Sequence, residues 1–361
     1  MIDRRGLFAA AGALCAAPGL SFAAAPAKLG PDNPAVDAFV AEQKFQGVVM
    51  IGRRGRASYV RAFGMADIEA GKPATRETVY GIASISKWLT TIAVLRLVEQ
   101  GKLSLDAPIS TWLPNQRPET GKTVTLTHLL SNTSGVPNGF SPALKADPEV
   151  LKREISAAEA VTLFCQGEPL FTPGSKFDYA LTNWFMVTAI VEAATGRPFQ
   201  AVVEDLTTGP LKMSHTRAGR VDAEPGVAAS YYAGPPLARR ENPRLSVMAA
   251  GGGYFSTADD LLVAAHLVFD TPFLSEASRK ALTTILVPDQ DYALGGRVRT
   301  LTVDGQPRLA GWETGRTAGF RSVLGHRLDT GDQVVILNNT DLSQKALDLF
   351  ADKLFGAAPR A

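Results

Sequence analysis

Ser84-Ile85-Ser86-Lys87 opens an apolar stretch that ends at Gly101, and this combination constrains the chain more than any other feature. Ile85, Trp88, Leu89, Ile92, Ala93, Leu95, Leu97 and Val98 cover nearly the whole circumference of a helix, which predicts that the helix is buried. Gly101 is its stop signal. Residues three apart share a helix face, so the Lys87 amine reaches the Ser84 hydroxyl. A serine hydroxyl is a weak nucleophile at neutral pH unless a neighbouring base takes its proton. A lysine amine serves as that base when burial or nearby positive charge lowers its pKa. Ser84 at the helix start also has backbone N–H groups around it, where an oxyanion can form. The Ser-x-x-Lys pattern occurs nowhere else in the chain.

The 361 residues suit one large domain or two intimately packed ones. Thirty-seven basic against 35 acidic residues leave a net charge of +2, which gives no argument for a nucleic-acid partner. Arg4-Arg5 precede an alanine-rich apolar run from Leu7 to about Ala25, with small residues at Ser21, Ala23 and Ala25. That is the layout of an export signal over residues 1–25. The paired arginines resemble a twin-arginine signal and predict a periplasmic or secreted protein. Pro18 and Gly19 interrupt a run already short for a membrane span, and no other segment is long enough. Cleavage near Ala25 removes Cys15 and leaves Cys165 alone, so no internal disulfide is expected.

Pro34 to Glu42 reads as a short amphipathic helix. Gly47 to Ile51 and Ala57 to Gly64 read as strands joined by the Arg53-Arg54-Gly55 turn. After Gly101 the chain turns rich in Pro, Gly and short helical patterns: Leu126 to Leu130, Ala157 to Cys165, Asn183 to Ala194 and Phe199 to Leu206. Thr257 to Phe269 reads as a helix capped by Ser256 or Thr257. Strand-like runs follow near Gly296 to Val303, Ser322 to His326 and Gln333 to Leu337, and Ser343 to Phe355 closes the chain as a helix. Strands at both ends with helices between predict an α+β fold, an antiparallel sheet completed by the two termini with a helical insert. We place the sheet-bearing part at about residues 26–105 and 250–361, and the helical part at about 106–249.

Two further segments carry chemistry. Pro173 to Tyr179 combines a Pro-Gly turn with a tyrosine just before a helix. A phenol beside an amine passes a proton to or from a leaving group when its own pKa is depressed; a tyrosine packed at a domain seam is an equal reading of the local residues. Gly311 to Phe320 is a Gly-rich run ahead of a strand. As an edge strand it lets a substrate approach closely and offers an N–H to an oxyanion; an ordinary turn is the alternative. There are four histidines, no His-Glu-x-x-His or Cys-x-x-Cys pattern, no Gly-x-Ser-x-Gly elbow and no phosphate-cradling loop. Neither a metal site nor a cofactor is expected.

Ser-x-x-Lys is a mark of β-lactamases and penicillin-binding proteins, and the chain resembles the class C β-lactamase-like serine hydrolases from about Phe45 to Phe350. Phe63 to Asp67, Tyr80 to Lys87, Glu99 to Pro108, Thr125 to Gly135 and Gly251 to Leu261 carry the resemblance. It implies a β-lactamase/penicillin-binding-protein-like fold, an antiparallel sheet flanked by helices with a helical insert domain. It also implies Ser84 as the acylated nucleophile, Lys87 as its activating partner and Tyr179 as the proton shuttle. The N–H groups of Ser84 and Arg316 would form the oxyanion hole.

Two departures bear on substrate. Where β-lactamases and peptidases of this group have Tyr-x-Asn, this chain has Tyr179-Ala180-Leu181. The missing amide would normally hold a substrate carbonyl or orient the lysine, and leucine there is a feature of some esterase-like relatives. Where the group has Lys-Thr-Gly or His-x-Gly, this chain has Glu313-Thr314-Gly315. A carboxylate there is expected to repel substrates ending in a free carboxylate. The sequence thus points to a carboxylesterase-like hydrolase acting on a small-molecule ester or peptide-like substrate. The alternatives are a D-amino-acid peptidase, a D-Ala-D-Ala carboxypeptidase, a β-lactamase, or a member that binds ligands without turnover.

Overall fold

A computed structural model describes residues 28–219, 226–241 and 246–358. The export segment read over residues 1–25 lies outside them. Alternating apolar residues build a six-stranded antiparallel sheet from both ends of the chain. Helix α1 (Pro34–Gln43) is capped by Asn33, whose side chain accepts from the N–H groups of Ala35 and Val36. Strands β1 (Gly47–Arg53) and β2 (Arg56–Phe63) follow as a hairpin. Arg54 and Gly55 take φ of 48° and 74°, the two positive values that a tight two-residue hairpin turn requires. The C-terminal part supplies β3 (Arg297–Val303), β4 (Gln306–Thr317), β5 (Phe320–Arg327) and β6 (Asp332–Asn338). The order is β3-β4-β5-β6-β1-β2, with Val49 opposite Ile336 where the two ends of the chain meet.

Side chains leave a strand on alternate faces, and each face has its own core. On one side Val48, Met50, Val60, Leu324, Val335 and Leu337 join a large apolar cluster with α2 (Ile85–Glu99) and α6 (Ala258–Asp270). On the other, Val49, Val323, Val334 and Ile336 pack with Val36 of α1 and with Leu347 and Phe350 of α7 (Gln344–Leu354). Between the sheet-forming ends lie α3 (Leu126–Leu130), α4 (Ala157–Phe164) and α5 (Leu181–Thr195), and residues of all three belong to the larger cluster.

The helix expected over Phe199 to Leu206 departs from expectation. It is α-helical only over Phe199–Val203 and continues as a π-turn over Glu204–Thr208. The cap of α6 is Thr257, whose side chain accepts from the Asp260 N–H. A small second sheet, Tyr80–Gly81 with Tyr254–Ser256 and Arg217–Ala218, was not legible as strands because each run is two or three residues long. It brings residues 251–254 against the start of α2.

Candidate active site

The turn before α2 is bent by Ala83, which takes φ of +46°. A left-handed residue bearing a Cβ costs about 1–2 kcal/mol, and the surrounding bonds hold it there. Ile82 O accepts from Ile85 N at 3.2 Å, and Ala83 O accepts from Ser86 N at 3.0 Å and from Ser86 Oγ at 2.6 Å. The small sheet adds Ile82 N to Tyr254 O at 3.0 Å, and Ser86 Oγ accepts from Tyr254 N at 3.1 Å. Ser84 therefore stands at the N-cap of a helix whose first turns are clamped.

Lys87, 3% exposed, donates from Nζ to Ser84 Oγ at 3.2 Å and to the carbonyl of Gly251. Its ammonium also lies 4.8 Å from the Tyr179 ring centroid and 5.4 Å from that of Trp184, within range of an attractive cation–π contact. Tyr179 hangs on the loop before α5. That loop is held by Asp178 N to Asn132 O and Gly174 N to Thr133 O, both at 2.8 Å. One flank of Tyr179 is open, leaving the residue 44% exposed, yet its hydroxyl is 2.8 Å from Ser84 Oγ. Burial around the phenol pushes its pKa up, but the Lys87 charge and the hydrogen bonds to Ser84 and Lys87 outweigh it, and the phenol titrates below its ordinary value.

β4 closes the other side. Beyond the Arg297–Trp312 pair it has no β3 partner, so Glu313 to Thr317 is paired with β5 alone. A Cβ on Gly315 would fall 2.1 Å from both Ile82 O and Ser322 Oγ, so only glycine lets this strand lie against the nucleophile turn. Thr314 is half-buried and Arg316 is exposed.

The geometry corrects the expectation for Glu313. The side chain is 5% exposed, and its carboxyl oxygens lie about where a Cβ on Gly296 would be, at 2.0 and 2.1 Å from it. Burial pushes its pKa well above the usual carboxylate range, against the smaller opposing effect of Arg297. A carboxyl driven toward its neutral form and packed beneath Gly296 repels anionic substrates less than an exposed carboxylate would. Leu181 is half-buried and packs over Gly251. A Cβ on Gly251 would lie 2.5 Å from Leu181 Cδ1, which places this side chain over the residue whose carbonyl holds Lys87. Asn183 does not replace the missing amide, since it is buried and bonded to Ser134 at 2.5 Å and Asn132 at 3.2 Å.

Among the described residues no group of three or more His, Cys, Asp or Glu side chains is placed to hold a metal, and no helix is long and apolar enough to cross a membrane.

A serine at a helix start with an amine and a phenol on its hydroxyl, flanked by a glycine-bearing edge strand, can form and hydrolyse an acyl-enzyme. The beta-lactamase family model matches residues 33–356. The chain belongs to the beta-lactamase family.

Within that family it is similar to esterase EstB of Burkholderia gladioli, 32% identical over 277 residues that cover 66% of this chain and 70% of EstB. It is 26% identical to protein flp of Staphylococcus aureus (strain MW2) over 172 residues, 46% of this chain and only 34% of that longer protein. The structure of a penicillin-binding protein from Bacillus halodurans superposes with a TM-score of 0.78 at 26% identity, covering 90% of this chain and 100% of that one. This beta-lactamase family member is thus a serine hydrolase with the fold of the penicillin-binding proteins.

Sequence reading missed the groups around the triad. Trp184 and the Gly251 carbonyl hold Lys87, and Asn132 anchors the Tyr179 loop. Tyr292 and Arg297 line up behind Tyr179. Their one signal was the Tyr292-Ala293-Leu294-Gly295-Gly296-Arg297 run, whose paired glycines mark close packing.

Proposed function

We propose that this protein is an exported, carboxylesterase-type hydrolase that turns over small esters or related acyl compounds through an acyl-enzyme on Ser84. The observation that carries the reading is the double contact on Ser84 Oγ, 2.8 Å from the Tyr179 hydroxyl and 3.2 Å from Lys87 Nζ. With Lys87 charged and Tyr179 ionised, Ser84 gives its proton to the phenolate as Oγ bonds to the substrate carbonyl carbon. The carbonyl oxygen takes up the negative charge, with the N–H groups of Ser84 and Arg316 as its donors. When the bond to the leaving alcohol breaks, Tyr179 returns the proton to the alcohol oxygen. In the second half, water gives a proton to Tyr179 as its oxygen bonds to the acyl carbon, and Ser84 Oγ leaves with that proton.

Ester preference is supported by Leu181, which offers no hydrogen bond to a substrate amide, and by the likeness to EstB. An amide brought into a site without partners for its polar atoms loses hydrogen bonds made in water. Export to the periplasm or medium rests on residues 1–25, and replacing Arg4 and Arg5 by lysine should trap precursor in the cytoplasm.

The test is intact-mass analysis after a fluorophosphonate, together with turnover of nitrophenyl esters, nitrocefin and D-alanyl peptides. One adduct on Ser84, lost in Ser84→Ala, and fastest turnover of the esters are expected. Labelling elsewhere, or nitrocefin and D-alanyl peptides outrunning the esters, overturns the proposal.

A further inference from the structure

The turn from Tyr292 to Arg297 takes no part in the steps above, yet it is packed against three elements of the site. Tyr292 and Arg297 pair antiparallel across it, and Ala293 N donates to Gly296 O at 2.8 Å, so their side chains leave on the same side. Gly295 donates to Leu130 O, at the end of α3, at 2.9 Å. It takes φ of +74°, and a Cβ there would lie 2.0 Å from Thr91 Oγ1 and 2.8 Å from Lys87 O. Glycine at 295 therefore lets the turn lie on the helical segment that carries Lys87. Gly296 in the same way lies on the Glu313 carboxyl of β4.

In this position the Tyr292 ring, 1% exposed, stands edge-on to Tyr179, with centroids 6.2 Å apart and planes at 85°. The Arg297 guanidinium carbon is 5.2 Å from the Tyr292 centroid. Its Nε donates to Gln290 O at 3.2 Å, and its terminal nitrogens make no hydrogen bond among the described residues. The groups facing the phenol are Ser84 and Lys87 from the start of α2, Phe177 from its own loop, and Tyr292 with Arg297 from the turn. Asn132 and Glu313 face Tyr292 in turn. Two acids interact with the Arg297 guanidinium, Glu313 of β4 and Asp348 of α7, and burial pushes the pKa of both upward, so each offsets its charge less than an exposed carboxylate would.

We propose that Arg297 is a positioning residue for the Tyr179 proton shuttle: stacked on Tyr292, it is a second fixed cation, beside Lys87, that keeps the shuttle ready to take the Ser84 proton. The proposal rests on the reading of Ser84 as nucleophile. Burial works against an ionised Tyr179, and Lys87 and Arg297 act in the opposite sense, with Lys87 the larger.

The experiment measures the rate of fluorophosphonate labelling of Ser84 against pH in the wild type, Arg297→Lys, Arg297→Gln, Arg297→Met and Arg297→Glu. Arg297→Lys should keep the wild-type profile. The two neutral variants should label about threefold more slowly on the acid limb, which moves up by about half a pH unit; Arg297→Glu should lose about tenfold, with a shift of about one unit. KM for a nitrophenyl ester should change less than kcat. If the wild type takes no label on Ser84, the acyl-enzyme reading fails and takes this inference with it. If the wild type labels and all five proteins share one acid limb, only the role of Arg297 is overturned. A rate loss with the limb unmoved marks a structural role and also overturns it. Arg297→Met, which keeps the stem over Tyr292, guards against a folding defect peculiar to the glutamine.

Discussion

Among the described residues Lys87 is held by one backbone carbonyl, one hydroxyl and two aromatic faces, without a side-chain carboxylate or amide. The phenyl ring of Tyr179 is part of that seat, while its hydroxyl is the proton acceptor, so the two roles separate in one substitution. Tyr179→Phe keeps the ring over Lys87 and removes the acceptor. We predict a kcat loss of about 10²–10⁴-fold on a nitrophenyl ester with KM changed only a few-fold. Near-normal kcat in stopped-flow assays would remove Tyr179 from the mechanism. Glu313 gives a second prediction at this scale. Glu313→Gln should melt close to the wild type, because burial drives the carboxyl toward the neutral form, whose shape the amide shares. Glu313→Lys places an ammonium in a buried site and should cost about 3 kcal/mol or more in thermal or urea unfolding, with no selective gain on carboxylate-bearing substrates. The pairing of Ser84 with Lys87 was legible in the sequence because helical spacing is local. The state of Glu313 was not, because its burial depends on Gly296, which lies far from it in sequence.

The same contrast holds for whole elements. The β1–β2 hairpin, α2 and α3 follow from apolar periodicity and turn residues, and the structure places them within a residue or two of where the pattern does. For β4 the local residues allow either an edge strand or a turn, because its glycines lower strand propensity. The glycines in this strand and in the turn before it have different duties. Gly305 takes φ of +71° in the Asp304-Gly305 turn between β3 and β4 and has no atom within 4 Å of a Cβ position. Gly315 has two oxygens at 2.1 Å from that position, one of them on the nucleophile turn. Gly305→Ala should therefore cost about 1 kcal/mol of stability from backbone strain and leave kcat unchanged. Gly315→Ala should cost about 1–3 kcal/mol by overpacking and, by pushing β4 away from Ser84, lower kcat by about 10²-fold, as removal of an oxyanion donor does. Chemical denaturation and ester kinetics on the pair would separate the two effects. Equal kcat losses would mean that β4 does not set the oxyanion geometry.

At the scale of the molecule, the sheet joins residues 47–63 to residues 297–338, and the nucleophile helix packs on one face of it, against strands from both ends of the chain. Contacts that tie the helical layer to the sheet therefore matter to the whole fold. One polar contact of this kind lies at the end of α6. Asp270 receives His326 Nε2 of β5 at 2.9 Å on one carboxyl oxygen and His266 Nδ1 at 2.8 Å on the other. His326 is fully buried and stacks on Phe269, with centroids 5.0 Å apart. Burial alone would raise the pKa of Asp270, but the hydrogen bonds from His326 and His266 outweigh it and hold the carboxyl below its ordinary value of 3.8. A carboxyl with a depressed folded pKa contributes stability that is fully present above its unfolded pKa and is lost as pH falls through the folded one. The contribution of Asp270 should accordingly be constant near neutral pH and decline below about pH 4. Asp270→Asn keeps the shape but not the charge, so the difference in unfolding free energy between wild type and variant should be largest above pH 5 and shrink on acidification. Urea unfolding of both proteins at a series of pH values measures it. A difference that stays constant down to pH 3 would show that the carboxylate form of Asp270 is not what links α6 to β5.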